Sequence, residues 1–229
     1  MILLCHRGFW KESSEKNTDT AFCRSFKAGI GVETDIRDYN GRLVISHDIP
    51  SGNELSFEQF LKLFSEYDKS LPLALNIKSD GLQDSLKSLL DKYKIENYFV
   101  FDMSVPDGLQ YIKRDFKVFT RQSEYEKIPS LYENAQGVWL DCFNEDWIDE
   151  LTIKKYLSEN KKVCIVSPEL HNRDNLKVWE KYRNIPFINN DNIMLCTDFV
   201  EKANDFFKTC NRSVIFEGEE PLEIQTRLS

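Results

Sequence analysis

One rhythm constrains this chain more than any single residue does. Eight short apolar runs begin near residues 2, 30, 71, 98, 117, 137, 162 and 193, and each is followed by a stretch long enough for a helix. Apolar runs of this length, bounded by turn residues, read as buried strands. The stretches between them carry helical periodicity: residues 56–66 place Phe57, Phe60, Leu61 and Phe64 on one face, and residues 82–93 turn Leu82, Leu86, Leu89 and Leu90 inward. Further helices are expected over 20–28, 105–114, 124–133, 145–159, 172–183 and 199–208. The first of these can be capped from Asn17-Thr18-Asp19 and closed by Gly29. Eight strand–helix units in this length point to a single-domain (β/α)8 TIM barrel. A doubly wound open sheet is the alternative, but no G-x-G-x-x-G turn follows any of the strands. With no linker or composition break, residues 1–210 read as one barrel, and residues 211–229 as a tail of undetermined role.

Within the second unit the strand runs into VETDIRDYNGRLVISHD, residues 32–48. Residues two apart on a strand share a side, so Glu33 and Asp35 project together. Asn40-Gly41 marks a tight turn, and residues 42–46 return as an extra strand that carries His47 back toward the paired carboxylates. Carboxylates at the end of an apolar strand are costly to desolvate unless a positive charge compensates. Two carboxylates with an imidazole are the parts of a hard-metal site with an acid/base beside it.

The active face of such a barrel lies at the carboxyl ends of its strands. His6 and Arg7 fall there after the first strand, and Asn76 and Lys78 on the third. Arg121, Asp141, Ser167 with Glu169, and Asp198 follow on later strands. Arg7 offers a planar fork suited to phosphate, and Lys78 a second cation. His6 and His47 titrate near neutral pH and can serve as acid and base. The residues together describe metal-assisted cleavage of a phosphoester.

The totals bound the partners. A net charge of −8 opposes nucleic acid and anionic membrane surfaces. No apolar run is long enough to span a bilayer, so stable membrane insertion is not expected. The six cysteines form no C-x-x-C pair and sit mostly in apolar runs; they read as reduced core thiols of a cytoplasmic protein. Trp139, Trp147 and Trp179 read as packing residues, and Trp10 as a candidate pocket wall. Residues 167–171 read as a loop with ordinary polar caps.

Several motifs in combination resemble the glycerophosphodiester phosphodiesterase family: HRG at 6–8, NTxxAF at 17–22, AGxxxExD at 28–35, DYNGRLVISHD at 38–48 and TDF at 197–199. That family shares its barrel with phosphatidylinositol-specific phospholipase C and the sphingomyelinase D enzymes. The specific motifs cover roughly the first third of the chain; the remainder matches in rhythm. The resemblance implies a hydrolase of a small phosphodiester, a glycerophosphodiester-type compound of lipid metabolism. It implies that Glu33 and Asp35 ligate one divalent cation, Mg²⁺ or Ca²⁺. It implies that His6 and His47 are the catalytic acid/base pair and that Arg7 and Lys78 hold the phosphate. Arg121 stands as either a further phosphate contact or a surface ion pair.

Two departures stand out. The family's third acidic ligand is Asn76 here, an amide that can ligate a hard cation but brings no charge. If Asn76 does not serve, Asp80, Asp141 or Asp198 are the substitutes. The segment after His47-Asp48 is also short, which bears on the alcohol recognised. A non-catalytic phosphate-ester-binding barrel with a weakened metal site is the competing expectation. The oligomeric state is not encoded in any of these features.

Overall fold

The computed structural model describes residues 1–207. All eight expected parallel strands are present, with the extra strand hung on the second. They are β1 (Ile2–His6), β2 (Gly31–Tyr39), β4 (Leu73–Ile77), β5 (Tyr98–Phe101), β6 (Phe119–Gln122), β7 (Gly137–Leu140), β8 (Lys162–Val166) and β9 (Ile193–Thr197), with β3 (Arg42–Ile45) antiparallel to β2. The sheet runs β5-β4-β2-β1-β9-β8-β7-β6. A Val100–Val118 bridge, with the Val100 amide donating to the Lys117 carbonyl at 2.8 Å, brings the two ends together. The result is a nearly closed eight-stranded parallel barrel, as the rhythm predicts. The β2–β3 turn uses Asn40 and Gly41 at φ +49° and +76°, the left-handed pair that a two-residue hairpin requires.

Seven α-helices occur among the described residues: α1 (Asp19–Lys27), α2 (Phe57–Phe64), α3 (Gln83–Tyr93), α4 (Val105–Ile112), α5 (Glu150–Ser158), α6 (Leu176–Arg183) and α7 (Val200–Phe207). Thr18 caps α1 and Ser56 caps α2 with a reciprocal Gln59 bond. The expected helix over 124–133 is absent. Its place is taken by a loop whose Ser123 hydroxyl accepts the Tyr125 and Glu126 amides. Pro129 then disfavours a helical Ile128. The helix expected from 145 begins only at 150. Both differences share one cause: the Glu124 carboxylate accepts the backbone amides of Phe143, Asn144 and Glu145, holding both segments in loop form. The helix expected from 172 begins at 176, because Asn172 is left-handed and the Arg173 amide turns back to the Pro168 carbonyl.

Two apolar layers fill the molecule. Inside the barrel lie Leu4, Ala74, Phe99, Phe101, Phe119, Trp139, Cys164, Val166, Met194 and Cys196. Aromatic rings fill the side near β5–β7, with Phe99 on Phe119 at 3.8 Å and Phe101 on Trp139 at 3.9 Å between centroids. Cys164 on β8 and Met194 and Cys196 on β9 fill the neighbouring side. The outer layer packs helices on strands; there Phe22 meets Phe60 edge-on at 4.7 Å, and Phe26 meets Phe64 at 4.9 Å. Phe60 is fully buried at this α1–α2 contact. Phe60→Ala is expected to cost about 3–5 kcal/mol and lower the melting temperature by about 10 °C. A melt within two degrees of wild type, read by circular dichroism, would contradict that packing.

Trp139 and Trp179 are buried, as expected, and Trp147 is partly so. Cys5, Cys23, Cys142, Cys164 and Cys196 are free thiols. No helix among the described residues is long and apolar enough to cross a membrane. Cys210 and the tail at 211–229 lie outside the described residues.

Candidate active site

The carboxyl ends of β1, β2 and β4 bring the expected residues together. The strand register sets His6 beside Glu33 and Asp35 beside Asn76. The alternation that pairs Glu33 with Asp35 also directs both away from the outer layer, and they are 2% and 0% exposed. The Asn76 amide nitrogen donates to Glu33 Oε1 at 3.3 Å. The Arg7 Nε lies 3.0 Å from Asp35 Oδ2, and the Lys78 ammonium 3.5 Å from Asp35 Oδ1. Asn17 holds the same carboxylate from the other side: its Nδ2 donates to Asp35 Oδ2 at 2.8 Å, while its Oδ1 accepts the Thr34 hydroxyl at 2.9 Å.

Buried polar atoms are normally paired. Here Glu33 Oε2, Asp35 Oδ1 and Asn76 Oδ1 make no hydrogen bond, and neither does the neighbouring Arg7 Nε. Three oxygens on adjacent strands, two from carboxylates and one from an amide, are a donor set for a hard cation. Among the described residues no group of three or more His, Cys, Asp and Glu side chains is placed to hold a metal; the amide is what completes this set. Burial, and behind it the charge of Asp35, push the Glu33 carboxyl up to about 7. A cation at these oxygens would relieve both effects. The alternative ligands are engaged elsewhere: Asp80 accepts the Ser104 hydroxyl, Asp141 pairs with His171, and Asp198 with His6 and Lys16.

His6 is held firmly. Its Nδ1 lies 2.6 Å from Asp198 Oδ1, and its Nε2 3.8 Å from Glu33 Oε2. Burial works to raise the Asp198 carboxyl, but the His6 bond and the charges of His6 and Lys16 outweigh it and hold it below its ordinary value. Asp198 is itself fixed: the Glu169 carboxylate accepts its backbone amide at 3.1 Å and also takes the Ser167 and Thr197 hydroxyls. Trp10, the candidate pocket wall, donates its indole N–H to the His6 carbonyl at 3.2 Å and carries the Lys16 ammonium 4.4 Å from its ring. The chain then bends sharply. Arg7 is left-handed at φ +58° and Gly8 at φ +85°, where a Cβ would sit 2.9 Å from that of Ala21. The glycine of the HRG run is therefore a backbone requirement.

His47 is placed differently from the other candidates. It sits half exposed on the loop after β3, and its Nδ1 bonds Asp48 Oδ1 at 2.8 Å instead of either strand carboxylate. It lines a cleft of about 700 Å³ shared with Arg7, Lys16, Asn17, Asn53 and Leu55. Arg121 lies on β6 and pairs with Asp102 at 2.7 Å and with Glu126. Asp102 also faces Lys78 at 3.6 Å, so charges alternate from Asp35 through Lys78 and Asp102 to Arg121. Sequence reasoning misses both Asp102 and the Asn17–Asp35 bond. The position of Asp102 directly after β5 is the signal that could have found it.

Neither family models nor curated proteins match this chain. Solved structures do. A glycerophosphodiester phosphodiesterase assigned in Galdieria sulphuraria is 18% identical, with 90% of this chain and 97% of that one covered at a TM-score of 0.71. The Agrobacterium tumefaciens glycerophosphodiester phosphodiesterase is 14% identical, covering 90% and 98% at 0.63. An Oleispira antarctica phosphodiesterase in complex with the product sn-glycerol-3-phosphate is 14% identical, covering 91% and 97%, also at 0.63. The chain shares the barrel of these proteins over nearly its whole described length.

Proposed function

We propose that the chain is a metal-dependent phosphodiesterase acting on a small phosphodiester of the glycerophosphodiester type. The observation that carries this is the set of three buried oxygens without a hydrogen bond on Glu33, Asp35 and Asn76, beside a histidine anchored on Asp198. The fold shared with the phosphodiesterases supports it.

Glu33, Asp35 and Asn76 would hold one Mg²⁺ or Ca²⁺. When bound, the ion supplies charge neutralisation at a phosphoryl oxygen. Arg7 and Lys78 sit on either side of Asp35 and are the cations available to the remaining phosphoryl oxygens. His6 donates Nδ1–H to Asp198, which leaves Nε2 as the working nitrogen toward the Glu33 side. From there it can accept the proton of the attacking hydroxyl or return one to the departing alkoxide. His47 serves as its partner from the cleft side, with Asp48 orienting its ring. Hydrolysis breaks one P–O ester bond; water supplies the hydroxyl to phosphorus and the proton to the released alcohol.

The test is a panel of small phosphodiesters with Mg²⁺, Ca²⁺, Mn²⁺ or chelator, scored for released alcohol and phosphomonoester. Release that requires a divalent ion is expected. Binding of diesters without turnover under any ion would instead identify a non-catalytic phosphate-ester-binding barrel, which the uncharged Asn76 favours.

Asn76→Glu tests the amide directly. A third carboxylate raises the ligand charge, so calorimetric titration is expected to show divalent binding about tenfold tighter or more. Burying another charge also lowers the stability of the metal-free chain. Unchanged affinity would mean that residue 76 does not face the ion.

A further inference from the structure

In the nearly closed barrel, β7 stands four strands from β2 in either direction around the ring, so their carboxyl ends face each other across the mouth. Opposite the Glu33–Asp35 wall the structure holds a second histidine–carboxylate pair. Asp141 follows β7 two residues after Trp139, whose ring lies in the barrel interior, and it is 6% exposed. Its Oδ1 lies 2.6 Å from His171 Nε2. Its backbone is pinned as well: the amide donates to the Gln122 carbonyl at 2.9 Å, and the carbonyl accepts the Trp147 indole at 2.9 Å. His171 ends the single 3₁₀ turn Pro168–His171 after β8, next to Leu170, which packs on the interior layer. Phe143 lies 4.6 Å from the imidazole centroid. The ring is thus held by a carboxylate, an aromatic face and a tight turn, while part of it stays open to solvent.

A buried acid thus fixes a partly exposed imidazole. With Nε2–H given to the Asp141 carboxylate, Nδ1 is left as the acceptor of the ring. In the phosphodiesterase reading, phosphorus lies at the opposite wall. A diester has two alcohol arms. The cleft beside His47 can take one, and the other then extends across the mouth toward β7 and β8. Resting on that reading, we propose that His171, positioned by Asp141, is the specificity contact for a hydroxyl on this second arm. The substrate class it selects is a diester whose crossing arm is a polyol, in preference to a plain alkyl ester.

The experiment uses one substrate with unequal arms, 2,3-dihydroxypropyl ethyl phosphate, and phosphorus NMR to read which monoester forms. An acceptor that orients the hydroxylated arm makes the wild type favour one of the two ester bonds. His171→Ala is expected to shift the partition between ethyl phosphate and glycerol phosphate toward parity by about tenfold or more. Asp141→Asn is expected to shift it the same way, because it releases the imidazole. A purely structural lesion slows both cleavages together and leaves their ratio intact. A wild type that yields both monoesters equally, or variants that keep the wild-type ratio, would overturn the inference while leaving the phosphodiesterase reading standing. A wild type that cleaves neither bond of this diester nor any diester of the panel would overturn that reading, and the role of His171 with it.

Discussion

Glu33→Gln is expected to abolish diester turnover, by on the order of 10³-fold or more, and at the same time to stabilise the metal-free chain at alkaline pH. The two effects have one origin. Glu33 is buried beside Asp35, and its carboxyl is pushed up to about 7. Between the ordinary carboxylate value and about 7 the folded chain binds more protons than the unfolded chain, so folding stability falls as pH rises through that window. Above it the full cost of two buried like charges is present. Glutamine keeps an oxygen for the Asn76 amide bond and removes the charge. The melting temperature without metal is therefore expected to rise at pH 8, and the further rise that divalent ion causes in wild type to disappear. A variant that melts lower than wild type without metal, and still gains stability from the ion, would contradict this assignment of Glu33.

His6→Ala carries the second large effect. His6 is the only one of the two proposed acid/base histidines fixed against the carboxylate wall, through Asp198 at 2.6 Å. Its loss is expected to lower turnover by about 10²–10⁴-fold. Because it donates no ligand oxygen, divalent affinity is expected to stay within a few-fold. His47→Ala in the His6→Ala background is expected to add little, since the pair acts as one unit. Near-normal turnover of His6→Ala would remove it from the mechanism.

The strands are legible because each is an uninterrupted apolar run, and Asn40-Gly41 is a backbone signal that local sequence carries by itself. The pairing of Glu33 with Asp35 follows from strand periodicity alone. What could not be read depends on contacts distant in sequence. Residues 124–133 look helical by composition; the Ser123 cap and Pro129 are local signals against it, and the capture of the 143–145 amides by Glu124 is the distant contact that holds the loop. Asp198 stands out as a strand-end acid, but its bond to His6 spans the first and last strands. Asn17 reads as a helix-cap neighbour; its left-handed backbone turns its side chain onto Asp35 instead. His171 reads as part of an ordinary loop because Asp141, its partner, lies thirty residues earlier. His47 shows the reverse case. The hairpin is as expected, yet the imidazole stays on the open side with Asp48.

The most direct test is a phosphorus NMR time course of a glycerophosphodiester with the purified chain. Wild type with Mg²⁺ or Ca²⁺ is expected to convert the diester resonance to a monoester, chelator to stop the conversion, and Glu33→Gln to show none with the ion restored. Conversion that proceeds at the same rate in chelator and in Glu33→Gln would contradict the claim that Glu33, Asp35 and Asn76 form a catalytic cation site.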